Sequence, residues 1–222
     1  MLSFHSDAEI KSRYLARLEG HAAADEIIKG QYWEAGKGCA VGCTVHGASH
    51  DDYEQALGVP RMLAWLEDVI FEGLPNRRAK TWPHEFLSSI EPGKDLSRVG
   101  WQFLHWLLTE RNEAKSAPAS TRSVVRQCAD VLVPLANGQM ADKAAAADAA
   151  GMAWALAKAA GLPEDATWIA ESAARAAESA ALSQESHALS AEHAAIAVTA
   201  AVARSTDYIA LSEKLLDLLK VA

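Results

Sequence analysis

Cysteine is scarce and odd in number: the 222 residues hold three, Cys39, Cys43 and Cys128. Three thiols do not make a disulfide framework, so reduced cysteines and a core held by packing are expected. Positive charge is also short, with 21 Lys and Arg against 29 Asp and Glu and a formal charge of −8. Proteins that grip phosphate backbones concentrate basic residues, whereas the only basic cluster here is Arg77-Arg78-Lys80. Nucleic-acid binding is not expected. Long apolar runs are missing too. The longest weakly polar stretch, AAIAVTAAVA at 194–203, falls well short of the roughly 20 residues a membrane helix takes. The opening MLSFHSDAEIKSRY has neither an apolar h-region nor a small-residue cleavage site. A cytoplasmic protein with no membrane attachment is the expectation. No run alternates apolar and polar residues as a half-buried strand would. Phosphate loops, dinucleotide glycine patterns, H-E-x-x-H and G-x-S-x-G are all absent.

What the chain has is helical periodicity. Ser6 and Glu9 have the spacing of a capping box, with Asp7 and Glu9 where a helix dipole favours acids. Ile10, Tyr14, Leu18 and Ile28 follow on one stripe, on which His21 and Asp25 also fall, and Gly30 reads as the stop. Later helices are predicted from Ser49 to Gly58, from Pro60 with Leu63, Leu66 and Ile70 inward, and over 95–110 with Val99, Phe103, Trp106 and Leu107 on one side. A polar gap, RNEAKSAPAS, leads to a helix around Val124 to Val131 that Pro134 must bend or end. From about Met140 alanine dominates, and a final segment restores large anchors at Tyr208, Leu211, Leu215 and Leu218. Five of the seven tryptophans, Trp33, Trp65, Trp82, Trp101 and Trp106, precede this change, and Trp154 and Trp168 follow it. The fold class is therefore all-α, with room for one short hairpin between Tyr32 and Val45. A helical body over 1–138 and an alanine-rich helical extension over 139–222 are expected, either as two domains or as one continuous domain.

Chemistry concentrates in GKGCAVGCTVHGASH, residues 36–50. Cys39, Cys43, His46 and His50 are spaced C-x3-C-x2-H-x3-H, and thiolate and imidazole are the donors that Zn²⁺ prefers. The first expectation is a zinc-like site of these four, with His21 or Asp25 completing or orienting it. A second arrangement makes Cys39 a nucleophile, with His21 as base and Asp25 as its orienting carboxylate. A third makes the stretch a packing joint, since Gly38 and Gly42 leave CAVGC small throughout. Cys128 reads as core, His105 as a boundary residue, and His187 and His193 as polar-face residues of the alanine-rich helices.

GHAAADEIIKGQYW, GKGCAVGCTVHG, ALGVPRMLAWLEDVIFEGLP and the closing EKLLDLL resemble a group of uncharacterised bacterial and phage proteins over nearly the whole chain. The resemblance implies a complete cytoplasmic protein rather than a fragment, and lends no activity, cofactor or partner.

The functional expectation is a soluble helical protein with a Cys/His metal site, hydrolytic if the site keeps an open coordination position. Two alternatives stand beside it. One is a non-enzymatic protein whose C-terminal helices meet a partner or a second copy; the other is a Cys-His-Asp enzyme. Whether the protein is an enzyme is left open by the residues alone.

Overall fold

The protein is all-α. A computed structural model describes residues 1–110, 117–159, 161–184, 186–202 and 207–222; part of the expected polar gap after Glu110 lies outside them. The described chain divides into two compact units, Met1–Ser97 with Asp207–Ala222, and Arg98–Thr206.

In the first unit, α1 (Ala8–Ala23) is capped by Asp7, whose side chain accepts from the Glu9 amide at 2.8 Å. Ser6, the expected cap, instead sits at φ 64° in a tight turn that buries Phe4. The helix stops at Ala23 rather than running to Gly30, because Asp25 adopts the left-handed conformation at φ 56°. A hairpin follows: β1 (Trp33–Glu34) pairs antiparallel with β2 (Lys37–Gly38). Ala35 and Gly36 turn the chain with φ of 51° and 83°, the mirror-image geometry that suits two-residue hairpins. Then come α2 (Ala40–Val45), α3 (Asp52–Leu57), α4 (Arg61–Gly73), α5 (Asn76–Ala79) and α6 (Trp82–Ser88).

The helix α4 is the unit's centre. It buries Leu63, Leu66, Ile70 and Phe71, and also two acids, Glu67 and Asp68. Against α2 the constraint is closer still. A Cβ built on Gly38 or Gly42 would overlap the Tyr32 carbonyl, and the Cys39 amide donates to Gln31 O at 2.7 Å and Tyr32 O at 3.1 Å. These two glycines let the entering strand lie directly on α2, so the segment is a packing joint between a strand and a helix. At the other end of the unit α13 (Tyr208–Lys220) returns to α4. Gly73 makes room for the Tyr208 ring, and Leu211, Leu215 and Leu219 are buried. The C-terminal seam is thus covered inside this unit.

In the second unit, α7 (Val99–Thr109) packs on α8 (Ala119–Asp130) and α9 (Val133–Ala136), with the chain bent before Pro134 as expected. The alanine-rich α10 (Lys143–Ala157), α11 (Glu164–Leu182) and α12 (His187–Val202) stack in order. Ala146, Ala153, Ala170, Ala173, Ala174 and Ala177 are fully buried, which brings the helix axes close. Trp154 bridges two of these helices by donating from Nε1 to Glu178 at 2.6 Å. The compact units therefore divide at 97/98, whereas the composition changes near 138. The tail rejoins the first unit through Tyr208, and α7 belongs with the helices that follow it in the chain.

Two substitutions test this packing in opposite directions. Gly42→Ala forces a methyl group against the Tyr32 carbonyl and should cost about 1–3 kcal/mol in denaturant unfolding. Gly151→Ala lies in a helix interior with open space around its Cα and should stabilise by about 0.5–1 kcal/mol. Equal responses would contradict the joint.

Candidate functional site

The short helix α2 separates two clusters. Six helical residues between Cys39 and His46 place them about 10 Å apart along the axis, and each end of the helix has its own neighbours.

At the C-terminal end, His46 caps α2 in the left-handed conformation, φ 55° and ψ 43°, and is exposed. His46 Nε2 lies 2.8 Å from His21 Nε2, and His21 Nδ1 lies 2.7 Å from Glu26 Oε2. Trp33 stacks on the His46 ring at 4.5 Å and 10°, and meets the His21 ring edge-on at 5.4 Å. An ionised carboxylate only accepts, so His21 donates from Nδ1 and accepts at Nε2. That makes His46 the Nε2–H donor and leaves a lone pair on its Nδ1. Partial desolvation, then the Arg17 guanidinium and the His21 imidazole, lower the His46 pKa and keep the ring neutral. The result is a carboxylate–imidazole–imidazole chain that ends in an exposed base.

At the N-terminal end, Cys39 occupies the cap position and is 2% exposed. Its thiol lies in the field of the Asp68 carboxylate, with the Gly42 and Val41 amides acting in the opposite sense. Burial first, and the Asp68 charge second, push this thiol well above its ordinary value. His50 stacks on Trp65 at 3.7 Å and 8°, with Tyr32 edge-on at 5.5 Å. Its Nε2 stands 3.5 Å from Asp68 Oδ2. Beside them Tyr53 donates to Glu67 at 2.5 Å, both side chains fully buried. Desolvation raises the Glu67 pKa well above the ordinary carboxylate value, against the lowering effect of the Tyr53 hydrogen bond.

The four ligands expected from sequence are therefore divided. Cys39 and His50 flank Asp68; His46 faces His21; Cys43 turns its thiol to the Gly38 carbonyl at 3.3 Å. Among the described residues no three His, Cys, Asp or Glu side chains are grouped closely enough to hold a metal ion as they stand. The physical reason is the helix, which carries Cys39 and His46 to opposite ends. Cys39, His21 and Asp25 likewise take three different partners and form no triad. Asp25 is exposed and pairs with Lys80, because α1 ends two residues before it. Glu26 takes the place expected for Asp25. At Cys39 the charge that acts on the sulfur is that of the Asp68 carboxylate, and with burial it raises the thiol rather than activating it.

The remaining candidates are structural. Cys128 is fully buried and donates to Ala149 O at 3.5 Å; His193 lies 3.3 Å from Glu178; His105 is half-buried. The His187 side chain lies outside the described residues. The sequence reading missed Glu26, Trp33, Tyr32, Trp65 and Asp68. Glu26 is off the helical stripe and had no signal. Asp68 did have one, since it stands two residues after Leu66 and two before Ile70 on a helix buried around most of its girth.

No protein-family model, curated protein or solved structure matches the chain. Among the described residues, no helix is long and apolar enough to cross a membrane.

The cysteines give a pH test. Burial raises Cys43 from 9.0 to about 11, and Cys128 from 9.0 to about 12. A thiol held neutral in the fold contributes stability that is complete below its unfolded value. That contribution is lost as pH rises through the folded one. The melting temperature should therefore fall between about pH 9 and pH 12. Iodoacetamide should label none of the three cysteines at pH 7.5 until denaturant is added. Rapid labelling of Cys39 in the folded protein would show the burial argument to be wrong.

Proposed function

We propose that the protein is a hydrolytic enzyme whose general base is His46, backed by His21 and Glu26. The observation that carries this reading is the 2.8 Å contact between the two Nε2 atoms, with Glu26 on the far nitrogen of His21. His46 Nδ1 takes a proton from a water that attacks an ester or related acyl carbon. The Nε2 proton of His46 then passes to His21 Nε2. The positive charge comes to rest on His21, where the Glu26 carboxylate compensates it. Arg17 opposes charge on His46 itself, so it favours this transfer. The leaving oxygen recovers the proton by the reverse route. Trp33, stacked on one face of the His46 ring, fixes the plane of the base. Three free, buried thiols suit a reducing compartment, and the cytoplasm is the proposed location.

The test uses p-nitrophenyl acetate as a generic ester. Activity should rise with pH and level off with an apparent midpoint below 6.5, the ordinary value for His46. His46→Gln should lower kcat/KM by about 100-fold or more. Glu26→Gln should lower kcat by a smaller factor and move the midpoint further down, because the carboxylate raises the His46 pKa. Unchanged hydrolysis in His46→Gln would remove the relay from the mechanism.

A further inference from the structure

We infer that Ser88, His84 and Glu19 form a nucleophile, its base and the carboxylate that orients the base. Ser88 thereby takes a covalent acyl group from an activated donor, an aryl ester or a thioester. Ser88 Oγ lies 3.3 Å from His84 Nδ1, and His84 Nε2 lies 3.2 Å from Glu19 Oε1. Hydroxyl, imidazole and carboxylate are thus joined through the two nitrogens of one ring, the order a nucleophilic triad requires. The spacings stand at and just beyond the roughly 3.2 Å limit of a working hydrogen bond, a contact that tightens when substrate binds. An ionised carboxylate only accepts, so in the neutral ring Nε2 carries the proton and Nδ1 turns its lone pair to Ser88. Glu19 therefore selects the tautomer that base catalysis needs.

Ser88 differs from its neighbours in what its hydroxyl meets. Ser12, Ser89, Ser172 and Ser179 each donate to the carbonyl four residues back, a common use of a helical serine. The residue four before Ser88 is His84, and the Ser88 hydroxyl meets its ring instead.

Packing of α1 on α6 holds the arrangement. Lys11 and Glu19 lie on one side of α1, and they reach Ser88 and His84, which are one turn apart on α6. Lys11 Nζ donates to the Ser88 carbonyl at 2.9 Å. That bond sets a positive charge on the nucleophile's own backbone, where it favours the negative charge that develops on attack. Glu19 and His21 are two residues apart, about 200° round the helix. The triad and the relay share α1 but not a face of it.

In the reaction the Ser88 hydroxyl proton passes to His84 Nδ1 as Oγ bonds to the acyl carbon, and Glu19 compensates the imidazolium. The bond from that carbon to the leaving phenoxide or thiolate then breaks, and the leaving group takes the proton from Nδ1. The products are acyl-Ser88 and a free phenol or thiol. Ser88 and Glu19 are exposed, and His84 is half-buried, so donors reach the group from solvent.

The experiment incubates the full chain with an alkyl fluorophosphonate. Oγ attacks phosphorus, the P–F bond breaks, and fluoride leaves with the hydroxyl proton. Mass spectrometry of the intact chain and of its peptides counts and places the adduct. One phosphonyl group per chain on Ser88 is expected, with Ser12, an exposed serine bonded to the Ala8 carbonyl, left unmodified. His84→Ala should slow labelling by about 100-fold or more, and Glu19→Gln by a smaller factor. Circular dichroism and melting temperature check that each variant is folded. Ser88→Ala should take no label. The adduct is read as mass on Ser88 rather than as turnover, and it should form in His46→Gln as fast as in the unaltered chain, so it stands apart from the relay. No adduct on Ser88 at excess reagent, equal labelling of Ser12, unchanged labelling in His84→Ala, or loss of labelling in His46→Gln overturns the inference. The adduct on the unaltered chain decides the matter even if a variant fails to fold.

Discussion

The carbonyl of Tyr32 rests against the backbone of Gly38 and Gly42, and the rest of the first unit is arranged around that contact. No side chain larger than hydrogen fits at either glycine. Because the strand is pressed onto α2, Trp33 reaches the C-terminal end of the helix and Tyr32 reaches the N-terminal end. One backbone contact therefore supplies the aromatic wall of both clusters. It also encloses Cys43. Its thiol lies under the hairpin, bonded to the Gly38 carbonyl in the space the joint encloses.

The two ends of α2 differ in solvent access, and that difference sets their chemistry. His46 is exposed, so its imidazole is open to water, with His21 and then Glu26 aligned behind it. Cys39, His50 and Asp68 are buried, so the Asp68 carboxylate is compensated by neighbouring groups, His50 first, rather than by solvent. Glu67 shows another solution available to a buried acid. Burial raises its pKa, and it accepts the Tyr53 hydroxyl. All of these acids lie on or against α4, whose apolar residues hold them away from water.

Much of this was readable in the residues. Helical periodicity gave α4 and α7, alanine content gave α10 to α12, and Pro134 marked a bend. The importance of the glycine-cysteine stretch was plain because its small residues and potential ligands are crowded together. The identity of the cooperating groups was not. His21 and Asp25 share a stripe only if α1 continues past Ala23, and a left-handed residue at position 25 ends that continuity. Glu26 then folds back onto His21, a contact that no helical spacing encodes.

Composition and local pattern determined what depends on neighbours in the chain. They fixed the helical class, the alanine-rich composition of three successive helices and the small residues at Gly38 and Gly42. Tertiary structure alone decided which donor meets which. Cys39 finds Asp68 across 29 positions, His50 finds Trp65, and Tyr208 returns over the whole intervening chain to the space left by Gly73. Such pairings depend on how separate elements pack. A cysteine, a histidine and an aspartate on three elements carry no shared period by which the sequence could announce them.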